Sequence, residues 1–513
     1  MKGWELLRDS MKSLDISAVF GNPGTTEIPM FRSFDNYVLT LHDALSVGMA
    51  DGYSQFSGNL PLVNLHTIHG VGNSIAFINT AKANRSPILI TSGQQDTRHL
   101  FYDPILSYDL MGLVSDLVKY KYEIKHASEI PMVMQKARSV ALTPPMGPVF
   151  ISFPMDLLDD EGNWQGITKD TPNYDLVDES AVDYVAERIR NSLNPCIVAG
   201  YEIDVFSAHS ELENLASKIG CPVYAEPLSS RAPVDSSMRN FAGDLLPATA
   251  VINLKLLNHD LILFIGGNVT LYPYLPSPIL PGKEVISVGF DLSRNVGQSI
   301  MMNPKKFMAL LAQKVSAKGS YSREALKPDN SRMLREKKRM GIYYVMKKIA
   351  QIFNDHVIVD ESISSSAVLR DILGYRPRSY FTARSGQLGW GLPASAGIGM
   401  AGGKVVLIIG DGAMMYSIQG LWTIMNYGIP LKIIVLKNNG YSILKSFSIS
   451  SFPGMENRDY FSFDLPLDKI ISSYGIETQV ATEELKELSW LREGERSKAL
   501  IINVDKAIPH LFP

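Results

Sequence analysis

Five consecutive apolar residues, Val405 to Ile409, run into Gly410-Asp411-Gly412, and this junction constrains the fold more than any other stretch of the chain. A short apolar run closed by glycines reads as a buried strand ending in a tight turn. Ile418, Leu421, Trp422 and Met425 then recur at helical spacing, with Gly428 placed as the C-terminal stop. Pro430 restarts the chain, and a second strand from Leu431 to Leu436 ends in Lys437-Asn438-Asn439-Gly440. Strand, helix, strand is a parallel crossover, which brings both strand ends to one carboxyl edge, where open α/β sheets bind ligands. Asp411 offers an anionic oxygen there, Asn438 an amide oxygen, and the turn a carbonyl near Gly440. Three hard oxygen donors suit Mg²⁺. Gly410, Gly412 and the helix N-terminus leave room and positive potential for phosphate.

The same alternation runs along the whole chain. Strands are predicted at Ala18–Gly21, Val38–His42, Leu62–His66, Ile88–Ser92 and Val149–Phe153, each followed by a helical pattern. A second block places strands near Cys196–Ala199, Val223–Ala225, Leu261–Ile265 and Glu284–Val288. A third has them at Val357–Asp360, Val405–Ile409, Ile433–Leu436 and Leu500–Val504. Aperiodic segments after Asp156 and Lys314 separate the blocks. The expected architecture is therefore α/β in three domains, 1–160, 178–318 and 340–513, each a mostly parallel sheet flanked by helices. A net charge of −3 argues against a nucleic-acid or anionic-membrane partner. Two cysteines, Cys196 and Cys221, exclude a disulfide framework and suit a reducing compartment. No apolar run reaches membrane-spanning length, and Lys2, Glu5, Arg8 and Asp9 stand where a signal peptide needs apolar residues, so a cytoplasmic location is expected.

Gly397-Ile398-Gly399-Met400-Ala401-Gly402 satisfies a G-x-G-x-x-G pattern but precedes a strand instead of following one. It is better read as small-residue helix packing than as a dinucleotide site. Gly410-Asp411-Gly412 with Asn438-Asn439, however, resembles the thiamine-diphosphate signature of the acetolactate synthase, pyruvate decarboxylase and benzoylformate decarboxylase superfamily, over essentially the whole chain. Gly386-Gln387-Leu388-Gly389 before Leu392-Pro393 also matches. The resemblance implies that Leu388 bends the cofactor and that the Gly386 carbonyl accepts from its aminopyrimidine. It implies that Ser364, Ala413 and Tyr441 hold the diphosphate beside Mg²⁺ on Asp411, Asn438 and Gly440. It further implies a homodimer or homotetramer with active sites between subunits.

The family places a glutamate against the cofactor's aminopyrimidine, before a helix resembling Met49-Ala50-Asp51-Gly52-Tyr53. Here the matching residue is Asp43, one methylene shorter; read without the family, it is a helix N-cap. Thr25, in Asn22-Pro23-Gly24-Thr25-Thr26-Glu27, matches a serine of benzoylformate decarboxylase and keeps its hydroxyl. His66, at a strand's carboxyl end, matches that enzyme's version of the segment and is suited to binding a substrate carboxylate or relaying a proton, with His69 nearby. The enzyme's second histidine is replaced by Pro273, leaving Tyr272, Tyr274 or His69 as stand-in donors. Ile443, before Leu444, is bulkier than the small residue of the aromatic-substrate enzyme, which favours aliphatic over aryl substrates. Arg384 is read either as a carboxylate ligand or as a surface residue.

The resemblance implies a thiamine-diphosphate- and Mg²⁺-dependent lyase that decarboxylates a 2-oxo acid, aliphatic favoured over aryl, to an aldehyde, with no FAD expected. A carboligase of acetolactate-synthase type and a cofactor-binding protein with little activity are the alternatives.

Overall fold

A computed structural model describes the chain except for residues 165, 170–172, 176, 273–276, 295, 322–329, 507 and 509–513, and the side chains of 330–333. The first domain holds β1 (Val19–Gly21), β2 (Val38–Leu39), β3 (Leu62–Leu65), β4 (Leu89–Gln94), β5 (Lys121–Glu123) and β6 (Val149–Pro154). The central domain holds β7 (Cys196–Ala199), β8 (Val223–Ala225), β9 (Phe241–Asp244), β10 (Leu261–Ile265), β11 (Glu284–Gly289) and β12 (Gln298–Met301). The third holds β13 (Val357–Glu361), β14 (Tyr380–Thr382), β15 (Val405–Gly410), β16 (Leu431–Lys437), β17 (Glu477–Val480) and β18 (Lys498–Asn503). Their orders are β2-β1-β3-β4-β6-β5, β12-β11-β10-β7-β8-β9 and β14-β13-β15-β16-β18-β17. The pairings among these strands are parallel, as the crossover argument requires.

The interior strands β3, β10 and β16 are buried on both faces and carry apolar runs, with only isolated polar residues such as Asn64 of β3 and Lys432 of β16, which is why they read clearly. Five strands that the sequence did not announce, β5, β9, β12, β14 and β17, all lie at sheet edges. Gln298–Met301 and Glu477–Val480 are largely exposed or half-buried, so their composition carries little strand signal.

One helix prediction is corrected. After β15 the chain forms two short helices, Asp411–Met415 and Gly420–Asn426, in place of one continuous helix. The break rotates everything beyond it: Thr423 and Ile424 are buried with Leu421, while Met425 faces solvent. Gly428, at φ 60°, takes the left-handed stop position as expected.

The first and third domains are locked by the helices Asp43–Ser57 and Gly391–Met400. A Cβ on Gly397 would lie 1.9 Å from the Met49 carbonyl oxygen, and one on Gly52 2.1 Å from that of Ala394. Gly397, the first glycine of that pattern, and Gly52 thus permit backbone contact between the two helices. Apolar clusters run across the domain boundaries: one joins the first and third sheets, another the central and third.

Candidate active site

The third-sheet group lies at the carboxyl ends of adjacent strands. Asp411 opens its short helix off β15, buried; its Oδ1 accepts the Gly412 N–H at 2.9 Å, and its Oδ2 those of Asn438 at 3.1 Å and Asn439 at 2.7 Å. Burial nonetheless pushes its carboxyl up from the usual range. Asn438 follows β16; its Nδ2 donates to Ser442 Oγ at 2.8 Å, and its Oδ1 accepts the Gly440 N–H at 3.3 Å. Asn439 sits at φ 61° with a buried Oδ1 lacking a partner. Gly440 is required sterically, since a Cβ there would lie 2.4 Å from the Phe461 carbonyl oxygen.

Ala413 is buried, and Tyr441 packs over Gly412 and edge-on to Phe463 at 5.1 Å. Ser364 lies in the turn Ile363–Ser365 that leaves β13. Ile443 is half-buried and Leu444 exposed at the start of the helix Ser442–Ser451. Gly386, at φ 77°, is exposed with open space around it, and Leu388 is half-buried against the shared core. Glu361, at the end of β13, accepts the N–H groups of Gly389 and, at 2.6 Å, Gly391, with burial pushing its carboxyl up to about 8.

The first-sheet group is built around a residue that sequence reasoning passed over. Glu27 is fully buried. Its Oε1 accepts from Thr26 Oγ1 at 2.7 Å, the Gly93 N–H at 2.9 Å and, distantly, the Thr67 N–H at 3.4 Å. Its Oε2 accepts the Gly24 N–H at 3.1 Å and lies 2.8 Å from His66 Nδ1. That contact raises the His66 pKa above its ordinary value and, with the proton on Nδ1, turns Nε2 away from Glu27. Gly24 makes the approach possible, because a Cβ there would lie 1.8 Å from His66 Nδ1. The only sequence signal for Glu27 was a Thr/Glu turn start; nothing in it pointed 39 residues ahead.

His66 caps the helix Thr67–Asn84, and His69, exposed, stacks on it at 6.3 Å between ring centroids. Thr25 is exposed at the start of the turn Thr25–Glu27. Asp43 is the first residue of its helix, and the capping acceptor is the His42 side chain, so the N-cap reading is corrected. Asp43 is buried, its Oδ2 receives only a long contact from Asn22 at 3.4 Å, and its Oδ1 has no partner. A Cβ on Gly70 would lie 2.5 Å from that Oδ1, so helix and carboxylate approach closely there.

Arg384 is not a surface residue: it is buried, and its NH2 is hydrogen-bonded to Asn268 and Thr270 of the central domain. Tyr272 stacks on Phe447 at 6.4 Å, in the helix that carries Ile443. Pro273 and Tyr274 lie outside the described residues. Among the described residues, no hydrogen bond, ion pair or ring contact joins the first-sheet group to the third-sheet group within one chain.

This three-sheet architecture with two polar strand-end groups defines the class. Residues 1–106 match the N-terminal TPP binding domain of thiamine pyrophosphate enzymes, 182–308 the central domain and 364–498 the C-terminal TPP binding domain. A benzoylformate decarboxylase of Pseudomonas aeruginosa is 31% identical over 496 residues, covering 91% of this chain and 92% of the relative. An acetolactate synthase large subunit of Haemophilus influenzae is 25% identical, covering 100% and 96%. The crystal structure of benzoylformate decarboxylase from Polynucleobacter necessarius superposes with a TM-score of 0.91 at 27% identity, over 99% of each chain. The chain belongs to the thiamine pyrophosphate enzyme family.

Proposed function

We propose that this protein decarboxylates a small aliphatic 2-oxo acid to an aldehyde and CO₂, using thiamine diphosphate and Mg²⁺. The observation that carries this reading is the pairing of an unpartnered, buried Asp43 Oδ1 with a His66 held by Glu27. A buried carboxylate oxygen with no donor costs about 1–3 kcal/mol. A cofactor ring nitrogen that donates to it fits both its burial and its orphan state. Asn439 Oδ1 and Thr67 Oγ1 are buried orphans beside the same two groups.

When bound, thiamine diphosphate supplies an electron sink next to the substrate's keto carbon. Asp43 Oδ1 would hold the aminopyrimidine proton, the Gly386 carbonyl would accept from the same ring, and Leu388 would set its bend. Ser364, Ala413 and Tyr441 would line the diphosphate. Asp411, Asn438 and the Gly440 carbonyl would hold Mg²⁺, the hard oxygen set that ion prefers. His66 Nε2 would meet the substrate carboxylate and later deliver a proton, with Thr25 and His69 alongside. Ile443 and Leu444 would narrow the pocket. Domain limits at 1–160, 178–318 and 340–513 and a site completed by a second subunit belong to the same reading.

Coverage of the whole chain by acetolactate synthases supports a second reading, a carboligase. Proton NMR of the protein with thiamine diphosphate and Mg²⁺, given pyruvate, a branched-chain 2-oxo acid and benzoylformate in turn, separates the two. Aldehyde is the expected product. A hydroxy-ketone as main product would move the assignment to carboligase, and no turnover would favour a silent cofactor-binding protein.

A further inference from the structure

The segment from Arg384 to Gly391 carries Gly386 and Leu388, and its two ends are held by all three domains. At the far end Glu361 takes the Gly389 and Gly391 N–H groups, while Trp390 Nε1 donates to Asp51 Oδ2 of the first domain at 2.7 Å. At the near end the Arg384 N–H donates to Asn84 Oδ1 at 3.0 Å, and the Ser385 hydroxyl lies 2.7 Å from that of Thr80. The Arg384 side chain turns the other way, into the central domain. Its NH2 reaches Asn268 Oδ1 at 2.6 Å, Thr270 Oγ1 at 3.1 Å and Glu226 Oε2 at 3.3 Å, and the guanidinium lies 5.1 Å from the Tyr201 ring. Among the described residues the middle hydrogen-bonds only within the segment: Gln387 Nε2 donates to the Leu388 carbonyl at 2.7 Å, and the Gln387 N–H to Ser385 Oγ at 3.2 Å.

Glu226, fully enclosed at the end of β8, is the hub of the near end. It accepts the N–H groups of Tyr201 and Asn268, each at 2.9 Å, and the Ser229 hydroxyl at 2.9 Å. These donors fix the carboxylate to the turns that follow β7, β8 and β10. Arg384 is its ion-pair partner. A buried carboxylate stripped of its cation is strongly unfavourable, so the Arg384 head is confined to one place, two residues before Gly386. Tyr272 reaches the helix that carries Ile443 through Phe447; this pair is the route by which the central domain reaches the Gly386–Leu388 segment.

We propose that Glu226 is a positioning residue: through Arg384 it ties the carboxyl edge of the central sheet to the Gly386–Leu388 segment and fixes where those residues stand. This rests on the proposed role of Gly386 and Leu388 at the cofactor. The test uses the full chain and two readouts, amide hydrogen exchange of the cofactor-free protein and calorimetric titration with thiamine diphosphate and Mg²⁺. In Glu226→Gln, exchange across 385–391 rises and the cofactor Kd weakens, each by about tenfold, the size of coupling seen between residues sharing one network. Faster exchange confined to the central-sheet turns, with 385–391 and Kd unchanged, overturns the proposal. Should Glu226→Gln not fold, Arg384→Lys keeps the charge but loses the fork, and the same two readouts move in the same direction by less. Unchanged exchange at 385–391 in that variant is equally fatal. Wild-type protein that binds no thiamine diphosphate would sink the decarboxylase reading, while the exchange result would still decide the tie.

Discussion

Asp411 and Glu27 are both buried carboxylates at the carboxyl edge of a parallel sheet, yet they are satisfied in different ways. Asp411 receives three backbone N–H groups, all from its own turn and the end of the neighbouring strand. That arrangement fixes the carboxylate and leaves one lone pair, on Oδ1, for a ligand. Glu27 receives Thr26, Gly93, Thr67 and Gly24 and faces His66, so both its oxygens are occupied. It has nothing left for a substrate or cofactor and must act through the histidine. Under the proposed function, one edge would present a metal ligand and the other an oriented base.

The largest effect should come from the ligand side. Asp411→Ala removes the one anionic donor of the proposed Mg²⁺ set and should weaken thiamine diphosphate binding by at least about a hundredfold, roughly 3 kcal/mol. Titration calorimetry reads this directly; an unchanged Kd would break the assignment of this edge to the metal. Glu27→Gln comes next. It should lower kcat/KM by about 10²-fold, within the range for a displaced acid–base group, while cofactor Kd stays near wild type. If Kd collapses as well, the two edges are not separable in the way described.

How much of this could be read from the sequence follows from the same contrast. Asp411 and Asn438 belong to one contiguous strand–helix–strand circuit, and backbone geometry alone brings them together, so local pattern sufficed. Glu27 meets His66, and Asp43 meets Gly70, through side chains and close approaches between separate elements, which no local period encodes. Arg384 looked ambiguous because the groups that bury it, Asn268, Thr270 and Glu226, come from another domain. Edge strands such as Gln298–Met301 and Glu477–Val480 were missed because half-exposed residues need not be apolar.

Asp43 sharpens the comparison, because it is the buried carboxylate with an oxygen left over. Asp43→Asn should keep the fold and bind cofactor within a few-fold, yet lower kcat about thirtyfold, since an amide cannot hold the proton at that position. Exchange of the bound cofactor's C2 proton, followed by NMR, checks the step itself. An Asp43→Asn variant with wild-type exchange would show that the orphan oxygen has another use. Ile443→Ala is milder: opening the pocket should shift the kcat/KM ratio of benzoylformate to pyruvate upward by about tenfold, the worth of a few methylenes in an apolar pocket. A ratio that stays put would remove Ile443 from the substrate wall.

The smallest effect is on stability, and its sign is set by His66. Glu27 raises the pKa of the folded-state imidazole above its unfolded value. Below the unfolded value, near 6.5, both states carry the proton and the full stabilisation of the charged pair is present. As pH rises through the raised folded value, the native state loses its proton and that contribution goes with it. The urea midpoint of wild type relative to His66→Gln should therefore fall between about pH 6 and about pH 8. Asp411 also has a raised pKa, from burial, so its linkage has the same sign but begins in the acid range of carboxylates. Asp411→Asn should flatten the acid limb and leave the neutral one, while Glu27→Gln should do the reverse. A neutral limb that survives Glu27→Gln would mean that the histidine, and not its buried partner, sets the charge at this edge.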